Sequence, residues 1–507
     1  MGVKTLWPVL QEAVDSTDKN VSVQSLQGKR VAVDLSSWIV EFQTVKTKGT
    51  YFLKNLYLRS LYYRTTELLG YGIKLIFVAD GTAPDMKAAV MKKRQEAQSG
   101  GTIASIDPSR SRFSPMIEKC KELLKYLGVP FLYSNGEGEA LCAILNAEGL
   151  VDGVMTNDVD AFLYGATTVY RDYRSISGVH VVDIYEMQKI QYKLGLDQRT
   201  MVVVALLVGC DFCKEGLEGI GIKKALALID KIKMHGQDPL DRLVGWRNNK
   251  ELQDLDKVPK SKHCSNCEHE GEKSSHKVEG CGYCETSVSC TPAHRPSSAT
   301  ESGISTPSTK PCRCSWHQRK DHELELQIWT KAKANETFPD QEIIKEYLTA
   351  HQSTESPDLT FHPVDISGVK RFMTSYFPSI NSTVGEFYSN FAFVLVQLQL
   401  HNMTECLIPS TTLTPLRIIH TRKRQAIPHL EVHWSKLEED KETNGNYYIV
   451  TSETTCFQEK FPDMAASFFK ELHDQKDMKI SRMKRKADDS DGSSAQTLLK
   501  AYFKTVK

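Results

Sequence analysis

No stretch of the chain reaches the roughly eighteen consecutive apolar residues of a membrane-spanning helix, so no such helix is expected. The opening Met-Gly-Val-Lys-Thr-Leu lacks the charged-then-apolar pattern of a secretory signal, and Leu6 stands where a myristoylation motif places Ser or Thr. A Gly-rich phosphate loop of the Walker kind is missing, which removes the main signature of phosphoryl transfer from a nucleotide. Self-similarity at a fixed period is missing too, which excludes a repeat architecture. Net charge is almost nil, because 64 Lys and Arg face 63 Asp and Glu. The expectation is an intracellular protein with no membrane partner, whose thirteen cysteines stay reduced unless a metal holds them.

What is present is ordinary in bulk and uneven in detail. The 507 residues, 40% hydrophobic and 25% charged, have room for two to four globular domains. Bases gather at 87–94 and 482–486, while acids gather at the ends of apolar runs. A protein that grips phosphates with one face and metal ions with another needs that segregation.

Apolar runs at 30–35, 74–78, 129–133 and 151–155 read as strands, and helical spacing covers 51–69, 116–127 and a segment from 139. Strands separated by helices predict an α/β fold with a mostly parallel, doubly wound sheet. Residues 98–115, rich in Ser, Gly and Arg, interrupt the pattern. From 261 to about 318 Cys, His, Ser, Thr and Pro replace periodic apolar residues, so this stretch reads as an insertion or linker. Helical patterning resumes over 319–405, with its strongest apolar run at 391–400. A β-rich segment follows at 413–461, then a basic tail expected to be disordered over 476–507.

The predicted strands deliver acids at their carboxyl ends: Asp34, Asp80, then Glu137 and Glu139, then Asp158 and Asp160, with Asp211 in Val-Gly-Cys-Asp making seven. In a doubly wound sheet those ends converge on one crevice. Seven like charges cannot all stay ionised there without cations or raised pKa values, and hard oxygen ligands in that number suit two Mg²⁺ or Mn²⁺. Paired divalent ions of this kind hydrolyse phosphodiesters.

The ordered motifs Val-Asp-Leu-Ser-Ser-Trp (33–38), Phe-Val-Ala-Asp-Gly (77–81), Gly-Glu-Gly-Glu-Ala (136–140), Thr-Asn-Asp-Val-Asp (156–160) and Gly-Cys-Asp (209–211), with the opening Met-Gly-Val-Lys-Thr-Leu-Trp, resemble the XPG and flap-endonuclease superfamily over roughly the first 240 residues. The resemblance implies a PIN-like nuclease core in two parts, 1–98 and 116–248. It assigns Asp34, Asp80, Glu137 and Glu139 to one metal and Asp158, Asp160 and Asp211 to the other. By the same resemblance Lys87 and Arg94 steer the scissile phosphate; by spacing alone they are an exposed charged helix face. Two departures stand out: Gly138, where the family often has Ala, and a short stretch between Asp80 and Glu137, which suits branched duplexes better than a threaded flap.

Gly219-Ile-Gly221-Ile-Lys223-Lys224 reads as a tight turn opening a helix, with backbone N–H groups and lysines aimed at a phosphate. Just after Gly-Cys-Asp it resembles the family's helix-hairpin-helix, near 209–230, which grips duplex DNA and often binds K⁺. Tyr57, Tyr62 and Tyr63 beside Arg59 and Arg64 have the period of ordinary core packing. Cys264-x2-Cys267 and Cys281-x2-Cys284 are spaced like two knuckles of one zinc ribbon, with Cys290, Cys312, Cys314 and His317 left for a second site or for none. A Cys-rich insertion of this kind resembles that of the GEN-type Holliday junction resolvases. So does the segment 412–475, similar to a chromodomain; only Trp434, Tyr447 and Tyr448 are available as cage aromatics, so a DNA-contacting or structural role is expected instead.

Lys484-Arg485-Lys486 fits nuclear import, and Gln496, Leu499, Tyr502 and Phe503 fit the Gln-x-x-Leu-x-x-Tyr-Phe pattern of sliding-clamp-binding peptides. The whole predicts a nuclear, metal-dependent endonuclease for Holliday junctions, 5′ flaps and forks, a monomer that pairs on junctions. A replication or repair flap endonuclease and a non-catalytic DNA- and clamp-binding scaffold are the rival readings.

Overall fold

The aliphatic runs become the middle of one sheet. A computed structural model describes residues 2–3, 5–44, 55–81, 108–213, 216–259, 261–290, 312, 314–349, 357–377, 384–400, 413–424, 427–437, 440 and 446–488. Strand β2 (Arg30–Asp34) lies between β3 (Lys74–Ala79) and β5 (Gly153–Met155), with β4 (Phe131–Tyr133) beyond β3 and β6 (Thr168–Ile176) beyond β5. All four neighbouring pairs are parallel. Val31, Ala32 and Val33 of β2 and Leu75 to Ala79 of β3 are buried, the continuous apolar pattern that a parallel sheet covered by helices on both faces selects.

An antiparallel extension completes the sheet and was not anticipated: β7 (Val179–Glu186) folds back on β6, and β1 (Val21–Ser22) adds to β7. The sequence carries its signal. Two alternating β-branched runs meet at Ser177-Gly178, both with positive φ (51° and 79°), as the favoured two-residue hairpin turns require.

Alternation along β2 and β3 feeds two apolar clusters on opposite faces. Val31, Val33, Leu75 and Phe77 join the helices Leu56–Gly70, Ile366–Tyr376 and Val384–Leu400. Ala32, Ile76 and Val78 join Gly138–Ala147, Gln198–Val208, Ile222–Met234, Glu323–Lys333 and Gln341–Leu348. The helical segment 319–405 is therefore split over both faces of the nuclease-like sheet.

A second antiparallel sheet, β10-β9-β8, is formed by β8 (Pro415–Arg424), β9 (Ile427–Ser435) and β10 (Tyr447–Glu453). Strand structure stops at Glu453, short of 461, and the helices Thr454–Lys460 and Pro462–Asp488 follow. The tail expected to be disordered from 476 is thus helical to Asp488. Between 463 and 488 there is no Gly or Pro, and Lys, Met and Ala, all good helix formers, are frequent. Among the described residues no helix is long and apolar enough to cross a membrane.

Tyr57 and Tyr62 are buried, and Arg64 pairs with Glu41 at 2.7 Å while lying over Trp38 and Phe42, so this helix serves the core. Trp434 is fully buried against Phe457 and Phe461, and Tyr448 is buried with its hydroxyl on Asp440. These rings are core, and they form no cage.

Candidate metal centre and nucleic-acid interface

The carboxyl ends of the parallel strands bring six of the seven acids into one neighbourhood, and Asp211, after the helix Gln198–Val208, acts on Asp160. Asp34 closes β2, Asp80 follows β3, Glu137 precedes and Glu139 opens the helix Gly138–Ala147, and Asp158 and Asp160 follow β5. Asp34, Glu137, Glu139, Asp158 and Asp160 are buried, while Asp80 and Asp211 are half-buried. Carboxylate oxygens of Glu139, Asp158 and Asp160 lie within 4.8 Å of one another. This trio crosses the division of ligands implied by the resemblance, placing Glu139 beside the second set.

Fixed donors orient the acids. Asp34 accepts from the Ser37 amide at 3.1 Å and the Thr156 hydroxyl at 3.2 Å, and Asp80 from the Gly138 amide at 2.7 Å. Asp160 accepts from the Val3 amide at 2.9 Å and the Tyr347 hydroxyl at 2.8 Å. Burial, then the charges of Asp80 and Asp158, push the Asp34 carboxyl up to about 7. Burial and the charges of Asp158 and Asp211 push Asp160 well above the carboxylate range, against the hydrogen bonds of Tyr347 and Val3. An all-oxygen, mutually repelling, buried donor set of this kind fits hard divalent cations, whose charge removes the penalty of keeping the acids ionised.

Two close approaches explain glycines here. A Cβ on Gly2, whose φ is 76°, would lie 2.2 Å from Oδ1 of Asp160 and 2.3 Å from Oδ1 of Asp158. A Cβ on Gly138 would lie 3.0 Å from Oδ1 of Asp80, so this departure from the family pattern lets the amide reach that carboxylate. Tyr347, 187 residues from Asp160, had no signal in the sequence beyond its place on an amphipathic helix.

The predicted turn forms: Gly219 has φ 70°, and Gly221 caps Ile222–Met234, which exposes Lys223 and Lys224 in its first turn. Cations there oppose the helix dipole by about 0.3–1 kcal/mol each, an arrangement that an anion at the same spot reverses. The Lys331 ammonium donates to the Glu218 carbonyl at 2.7 Å, beside Gly219. Lys87, Arg94, Gln496, Leu499, Tyr502 and Phe503 lie outside the described residues.

Residues 261–290 are ordered, and the four knuckle cysteines do not form one site. Cys264 groups with Cys267, His276 and Cys290; Cys281 and Cys284 group with Cys267 and His269; Cys312 and Cys314 group with His263 and His317. Spacing alone pairs the two knuckles because it cannot register histidines supplied by the turns between them.

The class defined by this fold and this site is a PIN-like α/β domain whose strand ends carry an acidic cluster suited to divalent cations. Residues 1–100 match the XPG N-terminal domain and residues 128–211 the XPG I-region. The chain carries these two domains of the XPG/flap-endonuclease superfamily and is similar to its GEN-type members. It is 35% identical over 504 residues to Flap endonuclease GEN homolog 1 of Mus musculus, covering 96% of this chain and 52% of that protein. It is 30% identical over 512 residues to Flap endonuclease GEN of Drosophila melanogaster, covering 93% and 65% respectively. The chain thus spans about half to two thirds of the length of the curated relatives it matches. The crystal structure of human GEN1 in complex with Holliday junction DNA aligns with a TM-score of 0.67 at 27% identity, over 94% of this chain and 100% of that one.

Proposed function

We propose that this chain is a structure-selective DNA endonuclease that incises four-way junctions and 5′ flaps by phosphodiester hydrolysis, leaving 5′-phosphates, in recombination and repair. The observation that carries the reading is the gathering of Asp34, Asp80, Glu137, Glu139, Asp158 and Asp160 beyond the carboxyl ends of the parallel strands, with Asp211, after the helix Gln198–Val208, acting on Asp160. Two Mg²⁺ or Mn²⁺ are the ions this set fits, and when bound they supply an activated water and counter-charge for the leaving oxygen. The protein's part is to fix the carboxylates through Ser37, Thr156, Gly138, Val3 and Tyr347 and to hold them in a desolvated pocket. Lys223 and Lys224, with the amides of the Gly219–Gly221 turn, hold duplex phosphates. A K⁺ at this turn would compete with the Lys331 ammonium for the Glu218 carbonyl. Lys87 and Arg94 are assigned to the scissile phosphate on the resemblance alone.

Pairing of monomers on the junction, nuclear localisation, a chromodomain-like role for the sheet β8–β10 with its terminal helix, and clamp binding through Gln496, Leu499, Tyr502 and Phe503 belong to the same reading. The clamp-like segment supports a second one, a replication or repair flap endonuclease. The intact set of seven acids argues against a non-catalytic scaffold.

The test is cleavage of strand-labelled junctions, 5′ flaps and plain duplex in parallel with Mg²⁺. Paired, ligatable nicks in the junction support the resolvase; flap cutting with an intact junction supports the second reading. Asp34→Ala and Asp158→Ala should bind junctions normally and not cut them, and unchanged cutting by either would remove the assigned centre.

A further inference from the structure

Residues 263–317 bring eleven Cys and His side chains into three groups of four, with Cys267 common to two of them. The distances are those of metal tetrahedra. Zinc bound at about 2.3 Å to sulfur and about 2.0–2.1 Å to nitrogen has S···S edges of about 3.8 Å and S···N edges of about 3.5 Å. Cys264 and Cys290 stand 3.7 Å apart, Cys267 Sγ is 3.3 Å from His276 Nδ1, and His269 Nδ1 is 3.5 Å from Cys281 and 3.3 Å from Cys284. In the third group Cys314 is 3.2 Å from His263 Nε2 and 3.4 Å from His317 Nδ1. A disulfide would need sulfurs at about 2.05 Å, and all of these cysteines are free.

Features outside the ligand sets point the same way. His276 turns Nδ1 to Cys267 and donates from Nε2 to the Glu270 carbonyl at 2.9 Å; His263 turns Nε2 to Cys314 and donates from Nδ1 to the Ser261 carbonyl at 3.1 Å. That second bond fixes the tautomer whose lone pair faces the sulfur, as partners of metal-binding imidazoles do. Each Cys-x2-Cys turn ends in a residue with positive φ, Glu268 at 59° and Glu285 at 56°, and backbone bonds close each loop, Cys264 to His269 and Cys281 to Thr286. His269 and His276 are 2% and 7% exposed, so in this small segment these rings are held inside among sulfurs instead of in a hydrocarbon core.

We propose that this segment binds three zinc ions, two in a cluster bridged by the Cys267 thiolate and one in a separate site of His263, Cys312, Cys314 and His317. Each thiol releases its proton to solvent as its thiolate takes the ion. The separate site joins the start of the excursion to its end, 51 residues apart, and so clips its neck. The chain beyond the clip runs directly into Ser315–Asp321 and Glu323–Lys333, which bear on the Gly219 turn and its helix through Lys231 to Asp321 and Lys331 to Glu218. The clip therefore sets where that support begins. This inference does not rest on the nuclease reading, and its test needs no DNA.

The full chain, purified without chelators or metal-affinity columns, should contain three zinc ions by elemental mass spectrometry, all released by titration with a mercurial reagent. Cys264, Cys267, Cys281, Cys284, Cys290, Cys312 and Cys314 should resist alkylation until the zinc leaves. Cobalt exchange should give intense thiolate-to-metal absorption. Cys314→Ser should retain two ions and Cys267→Ser one. Alkylation of the native wild-type chain as fast as the denatured chain, a zinc content other than three, or disulfides in the intact mass would overturn the proposal. Loss of a single ion from Cys267→Ser would overturn the bridge.

Discussion

A buried phenol holds one oxygen of Asp160, and removing it tests whether positioning matters at the centre. Partners of metal-binding carboxylates typically contribute about 10- to 100-fold in metal affinity or activity. Tyr347→Phe, which keeps the ring against Tyr164 and Phe212, should raise the Mg²⁺ needed for half-maximal junction cleavage by about that factor. An unchanged Mg²⁺ titration would show that the hydroxyl only fills space. Asp34 gives the matching pH dependence. Its folded pKa of about 7 lies above the ordinary carboxylate value, so the metal-free native state carries an extra proton between about pH 4 and 7. Stability of the metal-free protein should fall as pH rises through that window, and Mg²⁺ should raise the melting temperature more at pH 8 than at pH 5.5. Equal Mg²⁺ shifts at both pH values would contradict the assignment.

Among the elements, the helix Glu323–Lys333 concentrates polar contacts to the segment 239–248, which follows the helix Ile222–Met234. Glu325 takes bonds from Arg242 at 2.6 Å, Trp246 at 3.0 Å and His322 at 3.0 Å, and Trp329 donates to the Trp246 carbonyl. Burial opposes ionisation of Glu325, yet His322, Arg242 and Trp246 together hold its carboxyl down to about 2. Its stabilisation is therefore present above the ordinary glutamate value, near 4.3, and lost as pH falls towards 2. Glu325→Ala leaves Arg242 buried without its main partner and should cost about 3–5 kcal/mol at neutral pH by denaturant titration. On the adjoining helix, Lys223→Ala and Lys224→Ala should each weaken duplex binding regardless of sequence and flatten the log–log salt slope by roughly 0.9. A slope unmoved by both would place the duplex elsewhere.

For the molecule as a whole, the first apolar cluster runs without a break from β2 and β3 through Phe391 to Leu400 into Leu430, Val432 and Trp434. Gln24 to Glu453 at 2.8 Å and Gln397 to Ser452 at 3.1 Å stitch the same boundary. Deleting residues 413–488 should expose this face, so the truncated chain should melt earlier and bind a hydrophobic dye, while a chain cut after 488 should not. How far the sequence disclosed the molecule follows from how local each feature is. The central strands were legible because aliphatic runs of strand length are bounded by turns, and all the acids but Asp211 because they follow such runs. Tyr347, the Glu325 hub, the Lys331 contact and the sharing of Cys267 were not. Three of them join residues 83 to 187 apart, and the fourth turns on which histidine folds back to which knuckle.

The tight seat of Gly2 between Asp158 and Asp160 bears on how the protein is handled. A side chain at that position collides with the carboxylate oxygens. A cleavage scar that replaces Gly2 by a residue with a side chain is thus expected to push on both acids at once. Preparations tagged there and preparations tagged at the other end should be compared before any weak cleavage is taken as a property of the enzyme.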